Sequence, residues 1–167
     1  MSERLRVVLM GDTGAGKTGL LMAKCHEVIQ APIPSTIGTD FRILEHWKRK
    51  TLVYDISGHP RFRPVLQPYF PGADGYLVVF DLTNDASLIS VKDIWLPLIE
   101  EVANKLHQVT VVGTKCDLKE QRQVSRERAM ILMDELELVY YEASGVTGYN
   151  VECVFTDIVQ RIIDMSR

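Results

Sequence analysis

At 167 residues, with 46% hydrophobic and 25% charged residues, the chain has the size and composition of one ordinary globular domain with a real core. Its net charge of -3 gives no reason to expect nucleic acid as a partner. No apolar run approaches the roughly 18 residues of a membrane-spanning helix, Met1 to Arg4 is no signal peptide, and three widely spaced cysteines (Cys25, Cys116, Cys153) suit a reduced, cytoplasmic chain.

The first element, Leu5-Arg6-Val7-Val8-Leu9-Met10, is short, apolar and rich in β-branched residues, so it reads as a strand. Gly11-Asp12-Thr13-Gly14-Ala15-Gly16-Lys17-Thr18 follows and fits the phosphate-loop pattern G-x-x-x-x-G-K-[ST]. Leu20, Leu21 and Lys24 then fall at helical spacing, and nothing breaks that helix until Pro32. Strand, loop and helix are the context the pattern needs. Successive backbone N–H groups and a helix N-terminus make a concave anion site. The glycines let the backbone approach phosphate oxygens, Lys17 supplies a point charge at the β/γ-phosphates, and the Thr18 hydroxyl can ligate Mg²⁺.

Residues 31–36 carry two prolines and read as a loop. Thr39 to Trp47 and Lys50 to Ile56 read as two strands joined by a turn near Lys48 and Arg49, hence an antiparallel hairpin at a sheet edge. Four prolines between Gly58 and Pro71 argue against any long helix there. The unbroken apolar run Tyr76 to Phe80 predicts a central strand buried on both faces. Ala86 to Leu106 predicts a helix that Pro97 kinks or interrupts. Val109 to Val112 is a further strand, Ser125 to Leu136 a helix with Ser125 as N-cap, and Leu138 to Tyr141 a short strand. Val151, Val154, Phe155, Ile158 and Ile162 mark a final amphipathic helix. The alternation predicts one α/β domain over residues 1–167: a mostly parallel sheet, one antiparallel edge strand and helices on both faces. Ligands of such sheets bind at the carboxyl ends of the strands.

Two further strand ends carry chemistry. Asp55 ends an apolar strand and precedes Gly58, where a carboxylate can hold Mg²⁺ through water and a glycine N–H can meet a γ-phosphate. A strand-end aspartate can equally cap a turn. Thr114-Lys115-Cys116-Asp117 ends a later strand, and a carboxylate at Asp117 can accept two hydrogen bonds from the guanine edge, a donor pair adenine lacks. That tetrapeptide also suits a plain turn.

Gly11 to Thr18, Thr36, Asp55 to Gly58, Thr114 to Asp117 and Glu142 to Ser144 resemble, in order and spacing, the five nucleotide-contacting motifs of the Ras-like small GTPases. Within that superfamily the chain is most similar to the Rab branch. Thr36-Ile37-Gly38-Thr39-Asp40-Phe41, Arg61-Phe62-Arg63, residues 69–75, Phe80-Asp81-Leu82-Thr83 and residues 147–152 carry that similarity. The resemblance implies a six-stranded G domain. It implies that Asp12, Thr13, Gly14, Ala15, Gly16, Lys17 and Thr18 hold phosphates, that Thr18 and Thr36 ligate Mg²⁺ with Asp55 behind a water, and that Thr36 and Gly58 contact the γ-phosphate. It places Thr114, Lys115 and Asp117 at the base, with the backbone of Ser144, Gly145 and Val146 closing over it. Phe41, Tyr54 and Tyr69 fall where Rab proteins present an aromatic triad to effectors.

Departures from the family are specific. Asp55-Ile56-Ser57-Gly58-His59-Pro60 stands where D-T-A-G-Q-E is usual, so His59 takes the place of the glutamine that orients the attacking water. Thr114 replaces an asparagine, a shorter side chain expected to lose a hydrogen bond, and Ile29 falls where a base-packing aromatic is common. Asp55 follows Thr36 by only 19 residues, which implies a clipped hairpin.

The leading expectation is a monomeric GTP/GDP switch with slow hydrolysis, with His59 catalytic. It would be served by an exchange factor, an activating protein and effectors. It would work in membrane trafficking on the cytosolic face of an intracellular membrane, reached through a tail absent from this chain. The alternative is a hydrolysis-deficient GTP-binding module that acts as a scaffold, which His59 and Pro60 favour. A phosphate-loop ATPase or kinase is disfavoured by the Thr114 to Asp117 motif.

Overall fold

The computed structural model describes residues 4–29, 33–46, 49–103 and 106–166. Its strands are β1 (Leu5–Met10), β2 (Thr39–His46), β3 (Arg49–Ile56), β4 (Gly75–Asp81), β5 (Gln108–Thr114) and β6 (Val139–Glu142). They form one sheet in the order β2-β3-β1-β4-β5-β6. Only β2 runs antiparallel, against β3; every other pair is parallel. His46 pairs with Arg49, so the hairpin is as short as its sequence implies. The turn itself lies outside the described residues, as do Trp47 and the start of the proline loop at Ala31 and Pro32.

Alternation along the strands decides the two layers, because successive side chains point to opposite faces. Val7, Leu9, Leu77 and Val79 pack beneath α1 (Lys17–Lys24) and α6 (Val151–Met165), with Phe155, Ile158 and Ile162 filling that face. Val8, Met10, Val78 and Phe80 meet α3 (Asp85–Ser90), α4 (Leu96–Val102) and α5 (Arg126–Glu135) through Leu88, Ile99 and Met133, with Trp95 between α3 and α4. β4 is buried along its whole length, as an unbroken apolar run requires. Gly75 starts it because α6 crosses there: a Cβ would lie 2.8 Å from Ile162.

Two helix expectations need correction. α1 stops at Lys24, well short of Pro32. His26 adopts a left-handed φ of 56°, its N–H donates to Ala23 O and the Glu27 N–H to Met22 O. That is a Schellman ending with histidine in the place glycine usually takes. The second helix ends at Val102, with Ala103 already extended, and does not reach Leu106. Between α3 and α4 the chain makes a wide π-turn, Val91–Trp95. Pro97 accounts for it: it has no N–H to donate and its ring crowds the carbonyl four residues back, so the turn before it opens. In the proline-rich stretch only single turns form, at Pro60–Phe62, α2 (Arg63–Leu66) and Gln67–Tyr69.

β1 lies between β3 and β4, so the chain leaves it in opposite directions across the sheet. The loops after β1, β3, β5 and β6 therefore gather around the crevice where open parallel sheets bind ligands.

Candidate functional site

The loop after β1 turns into α1 at Gly16, whose φ of 95° suits glycine. A Cβ there would also lie 2.9 Å from the Thr114 hydroxyl. Thr13 and Gly14 are exposed at the loop's crest, and Ala15 is buried. The Lys17 side chain folds back over the loop and donates to the carbonyls of Gly11 and Asp12, both at 2.8 Å. Two of its three protons are thus used, leaving one for an anion. Burial lowers the Lys17 pKa to about 8, against the pull of Asp55 and Asp12. The Asp12 carboxylate itself is taken by the Trp95 indole N–H at 2.9 Å, so this residue supports the loop through its side chain.

Beside Lys17, three oxygens converge. Thr18 donates to Asp55 Oδ2 at 2.5 Å, Thr36 reaches the same oxygen at 3.4 Å, and the two hydroxyls lie 2.9 Å apart. Asp55 is 1% exposed, and its Oδ1 has no hydrogen-bond partner among the described residues. Burial pushes its carboxyl pKa up, while Thr18, Lys17 and Thr36 hold it down. An orphaned buried carboxylate oxygen next to two hydroxyls is a hard-oxygen set that fits a small divalent cation. Among the described residues no cluster of three His, Cys, Asp or Glu side chains could hold a metal. A Mg²⁺ ion here would thus complete its shell with phosphate and water oxygens, as that ion commonly does.

The second loop rests on the first. Ser57 N–H donates to Gly38 O at 2.8 Å. A Cβ on Gly58 would fall 2.3 Å from Gly11 O and 2.4 Å from Thr13 N, so only glycine lets these backbones touch. The exposed His59 ring accepts the Arg61 N–H at Nδ1, 3.1 Å, and so caps the turn that Pro60 begins.

The loops after β5 and β6 make the other half. Thr114, 2% exposed, is buried behind the phosphate loop and points its hydroxyl at Ala15 O. It therefore ties the end of β5 to the phosphate loop. Lys115 has a left-handed φ of 61° and its Nζ lies 2.6 Å from Asp81 Oδ2. Asp81 is in turn fixed by the Thr83 N–H and hydroxyl, at 2.7 and 2.6 Å. Asp117 Oδ1 accepts from the buried Ser144 hydroxyl at 2.6 Å, which itself accepts the Thr147 N–H. Gly145 lies against α1, where a Cβ would meet Gly19 at 2.8 Å, and Val146 is exposed. Arg122 grips Glu142 through both nitrogens, at 2.9 and 2.5 Å, and so fixes the end of β6.

Away from the crevice, Phe41, Tyr54 and Tyr69 form one aromatic row, with ring centroids 6.2 and 5.8 Å apart. Arg6 lies over Tyr54 at 5.5 Å and donates to the Tyr69 and Pro71 carbonyls. Sequence patterns assigned no site role to Asp81, Trp95 or Arg6, though Asp81 lies in a Rab-like segment. Asp81 had a signal, a strand-end carboxylate two residues before a threonine; the other two make only long-range contacts.

The family model described as "Ras family" matches residues 6–164. The chain is 36% identical over 162 residues to "Ras-related protein Rab-8B" of Bos taurus, covering 95% of this chain and 78% of that protein. It is 32% identical over 163 residues to "Ras-related protein Rab-3" of Caenorhabditis elegans, covering 95% and 74%. To "GTP-binding protein ypt2" of Schizosaccharomyces pombe it is 34% identical over 162 residues, covering 95% and 80%.

Proposed function

The chain belongs to the Ras family, and on that premise we propose that it is a Rab-like guanine-nucleotide switch that hydrolyses GTP slowly and binds effectors when GTP-loaded. The observation that carries this reading is the convergence of Thr18, Thr36 and the buried, half-satisfied Asp55 beside Lys17. In it the crest of the phosphate loop and the third proton of Lys17 bind the phosphates. Thr18, Thr36 and Asp55 would hold Mg²⁺, which would supply charge neutralisation to the phosphates. Thr36 and Gly58 contact the γ-phosphate, so their two loops report its presence. Asp81 orients Lys115 along the base, Ser144 orients Asp117 toward its donor edge, and Gly145 brings the last loop over it.

His59 positions the attacking water. With Nδ1 accepting the Arg61 N–H, the neutral ring carries its proton on Nε2 and offers water a donor only. That restriction favours a second reading, a GTP-binding module with little hydrolysis.

The aromatic row presents the switch state to effectors. No helix among the described residues is long and apolar enough to cross a membrane, and we assign the switch to trafficking on the cytosolic face of an intracellular membrane, as the Rab resemblance implies.

The test is nucleotide analysis of purified protein after heat release, with guanine and adenine nucleotides in competition. Released GDP supports a working switch, and released GTP the stalled module. Protein that prefers ATP, or retains no nucleotide and binds none, sinks both.

A further inference from the structure

Arg42 lies on β2 between Phe41 and Ile43, whose side chains are exposed on the opposite face. Its guanidinium turns back toward the end of α1. Nε lies 2.6 Å from Glu27 Oε1 and Nη2 3.2 Å from Glu27 Oε2, a bidentate pair. Nη1 lies 2.7 Å from Asp40 Oδ2 and 3.0 Å from the Phe41 carbonyl. One side chain thus joins the residue that ends the Schellman turn of α1 to the start of β2. Thr36 lies between those two points, and its hydroxyl is turned inward onto Thr18 and Asp55.

We propose that Arg42 is a positioning residue that, by joining Glu27 to Asp40, fastens both flanks of the segment carrying Thr36 and holds the Thr36 hydroxyl at the Thr18–Asp55 pair. The inference rests on the nucleotide reading above and extends it to a residue that touches no nucleotide. Planar, two-sided pairing is what a guanidinium does and an ammonium does not. Fixing both flanks also removes, ahead of binding, part of the freedom that ordering Thr36 would otherwise cost.

The role has a state-specific signature. Thr36 meets the γ-phosphate, so Arg42 matters when GTP is bound and little when GDP is bound. Release of a fluorescent, non-hydrolysable GTP analogue and of fluorescent GDP would be measured for the parent, Arg42→Gln and Glu27→Gln. Both variants should release the GTP analogue faster by about 3- to 10-fold, the span of a small exposed ion-pair network. GDP release should change by less than about 2-fold on the same scale. The swap Glu27→Arg/Arg42→Glu should move the ratio back toward the parent's, because it restores an arginine–glutamate pair across the same gap. Melting temperatures of the GDP forms control for plain loss of fold.

Equal acceleration of both nucleotides, or no acceleration in either variant, overturns the assignment while leaving the nucleotide reading intact. Should Arg42→Gln fail to fold, Glu27→Gln decides, since it spares the arginine. A parent that retains neither nucleotide removes the reading itself, and the proposal with it.

Discussion

The Thr114 hydroxyl lies 2.5 Å from the carbonyl oxygen of Ala15, 99 residues away in sequence, and 3.0 Å from the carbonyl of Phe80. One O–H serves both, so the end of β5 is strapped directly to the phosphate loop. The loop comes close enough for threonine because Gly16 leaves room: any Cβ there would already crowd the hydroxyl. Short as it is, the Thr114 side chain thus reaches the loop with its hydroxyl.

Replacing Thr114 by valine tests the strap at nearly constant volume. Two buried carbonyls lose their shared donor, at a cost of about 1–3 kcal/mol. Chemical denaturation of Thr114→Val under saturating nucleotide should show that loss, together with faster nucleotide release. Unchanged stability would mean that the short contact contributes nothing net.

In the proposed reading, Lys17 should make nucleotide binding pH-dependent. Its pKa lies at about 8 in the fold, against an ordinary value of 10.5. Between those values the unfolded chain holds a proton that the native state has lost, so the nucleotide-free fold gains stability as pH rises through that window. Binding runs the other way, because phosphate oxygens favour the ammonium. Calorimetric titration with a Mg²⁺-nucleotide in buffers of different ionisation enthalpy should show uptake of a small fraction of a proton near pH 7 and most of one near pH 8.5. Equal uptake at both would place the lysine's titration elsewhere.

How much of this could be read from the chain differs by element. β4 and the phosphate loop were legible because each is locally over-determined: an unbroken apolar run in one, a fixed glycine and lysine spacing in the other. The end of α1 was not. Nothing in Cys25-His26-Glu27 announces a helix stop, and the left-handed His26 is secured by contacts that include Glu27's pairing with a residue on β2. Pro97 foretold an irregular helix but not that the break would be a π-turn ending on Trp95. Thr18, Thr36 and Asp55 stood out in the sequence as loop and strand-end residues, and the fold brings their oxygens together. The Asp12–Trp95 contact, 83 residues apart, depends on that π-turn and could not be read.

Asp117 carries base choice in the proposed reading. Ser144 occupies one of its oxygens and orients the carboxylate. Asp117→Asn puts a donor where two base donors must be accepted, and mismatched buried polar groups discriminate strongly. Binding should shift from GTP toward a xanthine nucleotide, which offers an acceptor at that edge. Competition between the two nucleotides on parent and variant measures it. A variant that still prefers GTP as strongly as the parent does would sink the assignment.

In the proposed reading, hydrolysis turns on His59. Its Nδ1 accepts the Arg61 N–H, the ordinary second-position donor of the turn that Pro60 begins, so the ring is part of the turn it caps. Only Nε2–H remains for water, where glutamine would both donate and accept. Slow but measurable hydrolysis is the expected result. Single-turnover hydrolysis of bound GTP should fall about 10-fold in His59→Ala, equivalent to about 1.4 kcal/mol of barrier, and rise in His59→Gln. His59→Asn separates the two jobs of the ring, since asparagine is a good N-cap but has a shorter reach than the imidazole. If asparagine is as slow as alanine, the Nε2 proton is what positions water. If asparagine matches the parent, the cap alone was needed, and His59 is a turn residue. If alanine changes nothing while glutamine raises the rate, catalysis at this position has been lost, and the stalled module is the correct description.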